Sequence, residues 1–139
     1  MKKLFSPPTM LVVLIIAISV AHCSKKEVQQ NIIIQAMTNG HWVVQHFTEN
    51  TLDVTSEFQP YEFQFYENGS VQSINGTVIT NGTWTASPDE RTISAIFPSS
   101  NDTLKRLNDT WKVFNNSFTY VEANPSNVSR TAYLKLVKK

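Results

Sequence analysis

Cysteine is nearly missing from this chain of 139 residues: Cys23 is the only one, so there is no cysteine pair to form an internal disulfide. The four glycines do not form a Gly-rich phosphate-binding loop. Charged residues make up 17% of the chain and give a formal net charge of +1, which leaves no basic excess to neutralise phosphates. Nucleic acid is therefore not an expected partner.

The groups that catalysis and metal binding need are also sparse. The three histidines are His22, His41 and His46. If His41 and His46 share a strand, their odd spacing places them on opposite faces, which argues against a shared metal. No serine lies in a nucleophile elbow beside a His and an Asp, and the acidic pair Asp89-Glu90 falls in a sequence typical of a solvated turn. We expect no enzyme activity, no cofactor and no metal site.

The one long apolar run, Met10–Val20, follows two N-terminal lysines and precedes Cys23. It is too short to span a bilayer comfortably, and the three-part layout is typical of an export signal. The layout resembles the lipobox of bacterial lipoproteins, although His22 stands where that family has Gly, Ala or Ser. The resemblance implies a signal peptide over residues 1–22, a lipid on Cys23, and a place in the envelope of a Gram-negative bacterium, at the outer membrane. The alternative is an ordinary cleaved signal that leaves Cys23 as a free thiol.

Residues 23–39 are expected to form the lipidated N-terminus, a polar tether and a short apolar segment. Without residues 1–22 the chain has ten basic and eleven acidic residues, a net charge of −1, so the lipid rather than a basic patch would hold it at a membrane. The apolar segment Ile32–Met37 suits a short helix packed against the end of a sheet, but its β-branched residues suit a strand equally well.

The stretch Tyr61–Trp84 has the clearest pattern in the chain. Aromatic and polar residues alternate in its first part, as in a strand with one buried face. Asn-Gly dipeptides then end at Gly69, Gly76 and Gly82, and such dipeptides supply the positive φ angles of tight hairpins. The pattern predicts a β-meander with three turns.

Other alternating segments extend this antiparallel series. They are His41–Phe47, Thr92–Phe97, Thr110–Phe114, Phe118–Val121 and Arg130–Val137. A short helix is expected at Leu104–Leu107, after the capping residues Asn101, Asp102 and Thr103. The total is about eight short strands, and we predict an all-β, antiparallel up-and-down barrel, because closing the sheet removes its unpaired edges.

Gly40-His41-Trp42 opens the first strand, and Gly82-Thr83-Trp84 is a second element of the same kind. Together with the signal and the successive hairpins, this arrangement resembles the lipocalins and is similar to small lipocalin-like lipoproteins of Gram-negative bacteria. The resemblance implies a lipocalin-like barrel domain over residues 40–139. It also implies that Trp42 plugs the closed end, that Gly40 lets the chain enter beneath it, and that Arg130 packs across the tryptophan.

Many aromatic residues must lie inside such a barrel, and core packing is the simplest interpretation. The resemblance implies instead that some of them line a cavity with an open end. The expected lining residues are Phe63, Phe65, Trp84, Phe97, Trp111 and Tyr120.

Two functions follow from these patterns. The first is a lipid-anchored, non-catalytic, lipocalin-like envelope protein that binds a small hydrophobic ligand inside the barrel. The second is a protein-binding module, such as an inhibitor of an envelope hydrolase or a structural subunit, with a filled barrel and an exposed apolar or aromatic patch. Fold does not fix function, so both stay open at this point.

Asp102-Thr103-Leu104 also resembles a short O-glycosylation motif of bacteria that carry such lipoproteins.

Overall fold

The computed structural model describes residues 32–98 and 101–139, so the predicted signal, Cys23 and the tether before residue 32 lie outside the described residues. Within them, nine strands form one antiparallel sheet. The strands are β1 (Trp42–Glu49), β2 (Leu52–Asp53), β3 (Glu62–Phe65), β4 (Ser70–Asn75), β5 (Val78–Ser87), β6 (Thr92–Ile96), β7 (Asp109–Asn116), β8 (Tyr120–Pro125) and β9 (Ala132–Lys138).

Two short helices and a 3-10 turn accompany the strands. Helix α1 covers residues 32–38, which confirms the helical interpretation of the apolar segment before the first strand. Helix α2 (Asp102–Lys105) is present but begins two residues before the predicted Leu104. Asn101, one of the predicted capping residues, caps it: its side chain accepts a hydrogen bond from Leu104 N at 3.0 Å. The 3-10 turn is Thr55–Phe58. In the described part of the chain, no helix is long and apolar enough to cross a membrane.

Pairing of the first strand with the last closes the sheet into a barrel. From β3 to β9 each strand pairs with the next in the sequence, and β1 pairs with β3 on one side and β9 on the other. The β1–β9 pairing runs from Trp42↔Lys138 to Glu49↔Ala132. Eight strands close the barrel and the two-residue β2 is added to β1, so the predicted fold class is confirmed with one extra strand.

Because consecutive strands are antiparallel, successive connections lie alternately at the two ends of the barrel. The end where β1 begins, the α1 end, carries α1 and the β3–β4, β5–β6 and β7–β8 turns. The opposite α2 end carries the β4–β5 turn, α2 and the β8–β9 loop.

A β-bulge in β1 changes which of its side chains point inward. The register against β9 shifts between Val44 and His46. Trp42 and Val44 are buried before the bulge, and Phe47 rather than His46 is buried after it. Strict alternation along the predicted strand His41–Phe47 puts His46 on the face of Trp42; that expectation is wrong because the extra residue reverses the alternation. His41 and His46 are both partly exposed, at 39% and 47% of their side chains, so their expected separation onto opposite faces is wrong too.

Two of the three predicted Asn-Gly turns form. Gly69 and Gly76 have φ angles of +84° and +59° and lie in the β3–β4 and β4–β5 turns. The third prediction is wrong, because Asn81 and Gly82 lie inside the long strand β5. Gly82 is needed there for close packing: a Cβ atom would come within 2.4 Å of Ile96 O and 2.8 Å of Phe97 Cδ1.

Aromatic rings pack against one another through the core of the barrel. Phe47 contacts Phe58 and Trp111 at centroid distances of 5.2 and 5.7 Å. The Tyr61 ring lies between two other rings, with its centroid 6.3 Å from that of Phe58 and 6.4 Å from that of Phe63. Burying one such side chain stabilises the fold by roughly 1.5–3 kcal/mol, so this series supplies much of the driving force for closure.

The β8 region differs from its prediction in extent. The strand continues to Pro125, beyond the Val121 at which the predicted segment ends, so Ala123 is a buried strand residue. Phe118 was expected to start the strand, but it lies in the preceding turn and is 62% exposed.

We predict that Gly82→Ala destabilises the barrel by at least about 1–3 kcal/mol, since the added methyl group must displace a backbone carbonyl and an aromatic ring. Denaturant unfolding followed by tryptophan fluorescence measures the change. Gly76→Asn is the matched control, because a Cβ at Gly76 meets nothing within 4 Å and Asn tolerates its positive φ. Equal stabilities for the two variants would contradict the packing role given to Gly82.

Candidate functional site

The structure places five of the six predicted lining residues in the barrel interior. Phe65 packs edge-on against Trp84 with ring centroids 5.2 Å apart, and Phe63 contacts Phe97 at 6.1 Å. Tyr120 is the exception: its strand neighbours Val121 and Ala123 point inward, while Tyr120 itself is half-buried. Its hydroxyl donates a hydrogen bond to Asn115 Oδ1 at 3.2 Å, so it belongs to the outer face. The buried residues of the set are Phe63, Phe65, Trp84, Phe97 and Trp111.

The barrel interior has little free space. Its cavity measures about 40 Å³, and its walls include Phe63, Phe97, Trp111 and Leu134. One water molecule needs about 10–15 Å³, whereas ligand sites usually measure about 300–1,000 Å³. The geometry therefore does not favour the predicted ligand site inside the barrel.

A much larger cleft lies at the α1 end. Its volume is about 380 Å³, which falls within the usual range for a small-molecule site. Helix α1 forms one wall, and the β5–β6 and β7–β8 turns form the other. The lining residues are Ile32, Ile33, Ala36, Met37, Trp42, Ser87, Pro88, Arg91, Thr92, Ile93, Val113, Asn116, Ser117 and Val121.

The cleft adjoins the interior cavity. Ile93, Val113 and Val121 line both spaces, so these three side chains separate the outer cleft from the packed core. Val113 and Val121 are 9% and 8% exposed, which makes the floor of the cleft apolar and nearly dry.

One hydrogen bond fixes α1 over the barrel end. The indole Nε1 of Trp42 donates to the carbonyl oxygen of Met37 at 2.9 Å. This bond satisfies one of the carbonyls that the last turn of a helix leaves without an intrahelical partner. Gly40, with a φ of +86°, lets the chain leave α1 and enter β1 between the two residues. Because Trp42 is fully buried, this bond ties α1 to the hydrophobic core of the barrel.

The predicted contact of Arg130 with Trp42 is wrong. The Arg130 guanidinium carbon lies 5.1 Å from the centre of the Trp111 ring, at the α2 end. Lys138 takes the position over Trp42 instead, with Nζ 5.4 Å from the ring centre. The register explains the difference, because Lys138 pairs with Trp42 across β1 and β9, while Arg130 precedes the start of β9.

An ionic network at the α2 end holds α2 in place. Glu49 accepts hydrogen bonds from Arg106 and Arg130, and Arg130 Nη1 also donates to Asp109 Oδ2 at 2.8 Å. Arg106 Nε donates to Glu57 Oε2 at 3.2 Å. The bond to Glu49 is the main cause that raises the pKa of Arg106. With Leu104 and Leu107 of the α2 segment buried beneath this network, the end opposite the cleft is covered.

Thr103, the residue of the O-glycosylation motif, lies within α2. Its hydroxyl donates a weak hydrogen bond to Glu57 Oε2 at 3.4 Å, and its side chain is half-buried. Its modification stays a prediction.

The outer face of β7, β8 and β9 carries a polar and aromatic cluster around Glu122. Tyr133 Oη donates to Glu122 Oε1, and Asn115 Nδ2 donates to Glu122 Oε2. The Tyr133 ring contacts His46 and Phe114 at 5.5 and 6.2 Å. Burial, and then the bond to Glu122, raise the pKa of Tyr133 to about 12. The hydrogen bonds from Tyr133 and Asn115 lower the pKa of Glu122.

The residues that sequence patterns missed are those of the cleft. Arg91, Asn116 and Ser117 lie in or beside turns that the sequence marked only as turns. The apolar run that became α1 was the one available signal, because an apolar segment outside the strand series must pack against something. In residues 32–98 and 101–139, no group of three or more His, Cys, Asp or Glu side chains is placed to hold a metal ion.

No protein-family model and no curated protein matches this sequence. Among solved structures, the crystal structure of a DUF4847 family protein from Bacteroides vulgatus is similar, with a TM-score of 0.59 and 15% sequence identity. The match covers 77% of this chain and 97% of that chain. At this identity the similarity shows a shared fold and nothing about ligands or membrane attachment.

We predict that Tyr133 titrates about two pH units above an ordinary tyrosine, near pH 12 instead of 10. The raised pKa means that the neutral phenol is favoured in the folded state. Its contribution to stability is therefore complete below about pH 10 and is lost as the pH rises towards 12. Ultraviolet titration of tyrosinate measures it, and the difference between the wild type and Tyr133→Phe isolates the group. A difference midpoint near pH 10 would contradict the burial of Tyr133 and its hydrogen bond to Glu122. Tyr66→Phe is the control for the loss of a tyrosine.

Proposed function

We propose that the protein is a lipid-anchored, non-catalytic binding protein of the bacterial cell envelope, which holds a small apolar ligand in the cleft at the α1 end. The single observation that supports it is the cleft itself, with a volume of about 380 Å³ and walls built mainly from aliphatic side chains and Trp42. Ligand sites are typically of this size and character, with a few polar groups that fix orientation.

The cleft suits binding better than the barrel interior does. The interior retains only about 40 Å³, and enlarging it would require moving aromatic rings that contact one another. A ligand can enter the cleft without moving these rings. The cleft lies outside the packed core, and Ile93, Val113 and Val121 separate the two. A ligand seated there would be held by removal of apolar surface from water, worth about 0.8 kcal/mol for each buried CH₂ group.

Native mass spectrometry of the protein purified from its own host, without added ligand, tests the proposal directly. We expect a reproducible mass increment that is lost on denaturation. A bare mass, together with no binding of the neutral apolar fluorophore N-phenyl-1-naphthylamine, would reject the binding function.

A filled cleft gives a sharper test of where the ligand binds. We predict that Ala36→Trp, which adds an indole to the wall formed by α1, weakens fluorophore binding at least tenfold without lowering stability, because Ala36 is only half-buried. Gln35→Trp is the matched control, since Gln35 is exposed on the same helix and does not line the cleft. If both variants bind like the wild type, the ligand does not sit beneath α1.

Lipid attachment is supported by the position of Cys23 after an apolar run in the sequence. We predict that Cys23→Ala moves the protein from the membrane fraction to the soluble fraction of the cell and abolishes incorporation of a labelled fatty acid. Ser24→Ala is the control and should change neither. Unchanged fractionation and labelling of Cys23→Ala would contradict the anchor.

A protein-binding module is the second candidate, and one observation favours it. Phe114 and Phe118 are 49% and 62% exposed around the β7–β8 turn, while the barrel interior is nearly filled. Exposed aromatic side chains of this kind are common at protein interfaces. Cross-linking in the host envelope, compared between the wild type and Phe114→Ser/Phe118→Ser, tests it: a partner lost only in the double variant would support this second function.

A further inference from the structure

Among the described residues, Arg91 is the only charged one that lines the cleft. The other lining side chains are apolar or neutral, and within the described residues no Asp or Glu is among them. Asp89 and Glu90 precede Arg91 in the same turn, but neither contributes to the cleft wall. Of the charged side chains in this turn, Arg91 alone reaches the cleft wall, where it lies beside an apolar floor.

The guanidinium of Arg91 has no protein partner in the part of the chain that the structure describes. The other two arginines, Arg106 and Arg130, are each paired with carboxylates at the α2 end. Arg91 forms no salt bridge and no side-chain hydrogen bond there, and it is exposed at the rim. All five of its N–H donors are thus available to a ligand.

The backbone of Arg91 is held in a fixed and unusual conformation. Its φ angle is +54°, in the left-handed region where Gly or Asn is preferred. Its amide donates to Pro88 O at 3.2 Å, and its carbonyl accepts from Val113 N at 2.8 Å. A residue with a Cβ atom is disfavoured at this φ, and the two backbone hydrogen bonds hold Arg91 there, so the turn fixes the point from which its side chain reaches the cleft.

We infer that the ligand of the cleft is a small apolar molecule with one carboxylate, and that Arg91 binds this carboxylate at the rim while the apolar part lies over Ile93 and Val113. The inference rests on the proposed function and adds the class of ligand. A planar guanidinium matches a carboxylate through two parallel hydrogen bonds. A single positive charge balances one carboxylate, whereas a phosphate dianion would keep a net negative charge at the apolar floor.

Asn116 supplies a second polar group at the same rim. Its side-chain amide makes no hydrogen bond to another described residue, and it lines the cleft at the end of β7. The strands that carry the two turns are neighbours, because β6 pairs with β7. An amide NH₂ can donate to the same carboxylate, so Asn116 is a positioning residue beside Arg91.

Titration calorimetry with decanoate and decanol, which differ in the head group, tests the inference. We expect the wild type to bind decanoate about tenfold more tightly than decanol, as charge-assisted hydrogen bonds at a partly exposed rim would give. Arg91→Gln should weaken decanoate binding about tenfold and leave decanol binding unchanged, and Arg91→Lys should retain part of the preference. High salt should reduce the preference in the wild type only.

Lys112→Gln is the matched control. Lys112 donates from Nζ to Glu90 O beside the same turn, but it does not line the cleft, so its loss tests a general effect of positive charge. Equal affinity of the wild type for both compounds, or equal losses in Arg91→Gln and Lys112→Gln, would overturn the role of Arg91 while leaving the apolar cleft in place. Binding of neither compound would overturn the inference and the proposed function together. Tighter binding of decyl phosphate than of decanoate would overturn the choice of carboxylate.

Discussion

The pairing of β1 with β9 is the contact on which the rest of the molecule depends. Each other strand of the closed barrel is joined to its sequence neighbour by a short turn or by α2, but β1 and β9 lie at opposite ends of the described chain. Their ladder from Trp42↔Lys138 to Glu49↔Ala132 closes the sheet without a free edge. Since β1 begins at Trp42, the same pairing positions the indole that holds Met37 and with it α1.

The two ends of the barrel are covered in physically different ways, and this difference creates the cleft. At the α2 end, buried leucines lie beneath a network in which Glu49 joins Arg106 and Arg130. That cover combines apolar burial with charge-assisted hydrogen bonds. At the α1 end, a helix of seven residues is held by the bond from Trp42 to Met37 O and by packing of Met37, Ile33 and Ile34 against the core. A short helix cannot fill the area between two hairpins, so a space remains.

Most of the strands could be predicted from the alternation of apolar and polar residues. A strand with one buried face requires this alternation, because successive side chains point to opposite faces. Alternation fails where the backbone departs from regular geometry. The bulge after Val44 changes which residues of β1 point into the barrel. No residue type near this position indicates a bulge. Gly82 illustrates the second kind of failure: Asn-Gly favours a turn locally, but the approach of Phe97 across the strand pair requires a residue without a side chain. The position of Arg130 depended on register, which the resemblance did not specify.

The cleft could not be predicted because no single segment contains it. Its walls combine α1, Trp42 and two turns that meet only after closure, so residues far apart in sequence acquire a common role. In the proposed binding function, the apolar part of the cleft would supply affinity but not selectivity, since aliphatic walls accept any apolar molecule of suitable size. Selectivity must come from polar side chains that lack a hydrogen-bond partner within the protein. Such a group favours a ligand that can make the missing hydrogen bond over one that cannot. Among the charged residues at the cleft, Arg91 alone meets this condition. The proposed class of ligand therefore rests on this one side chain rather than on the barrel.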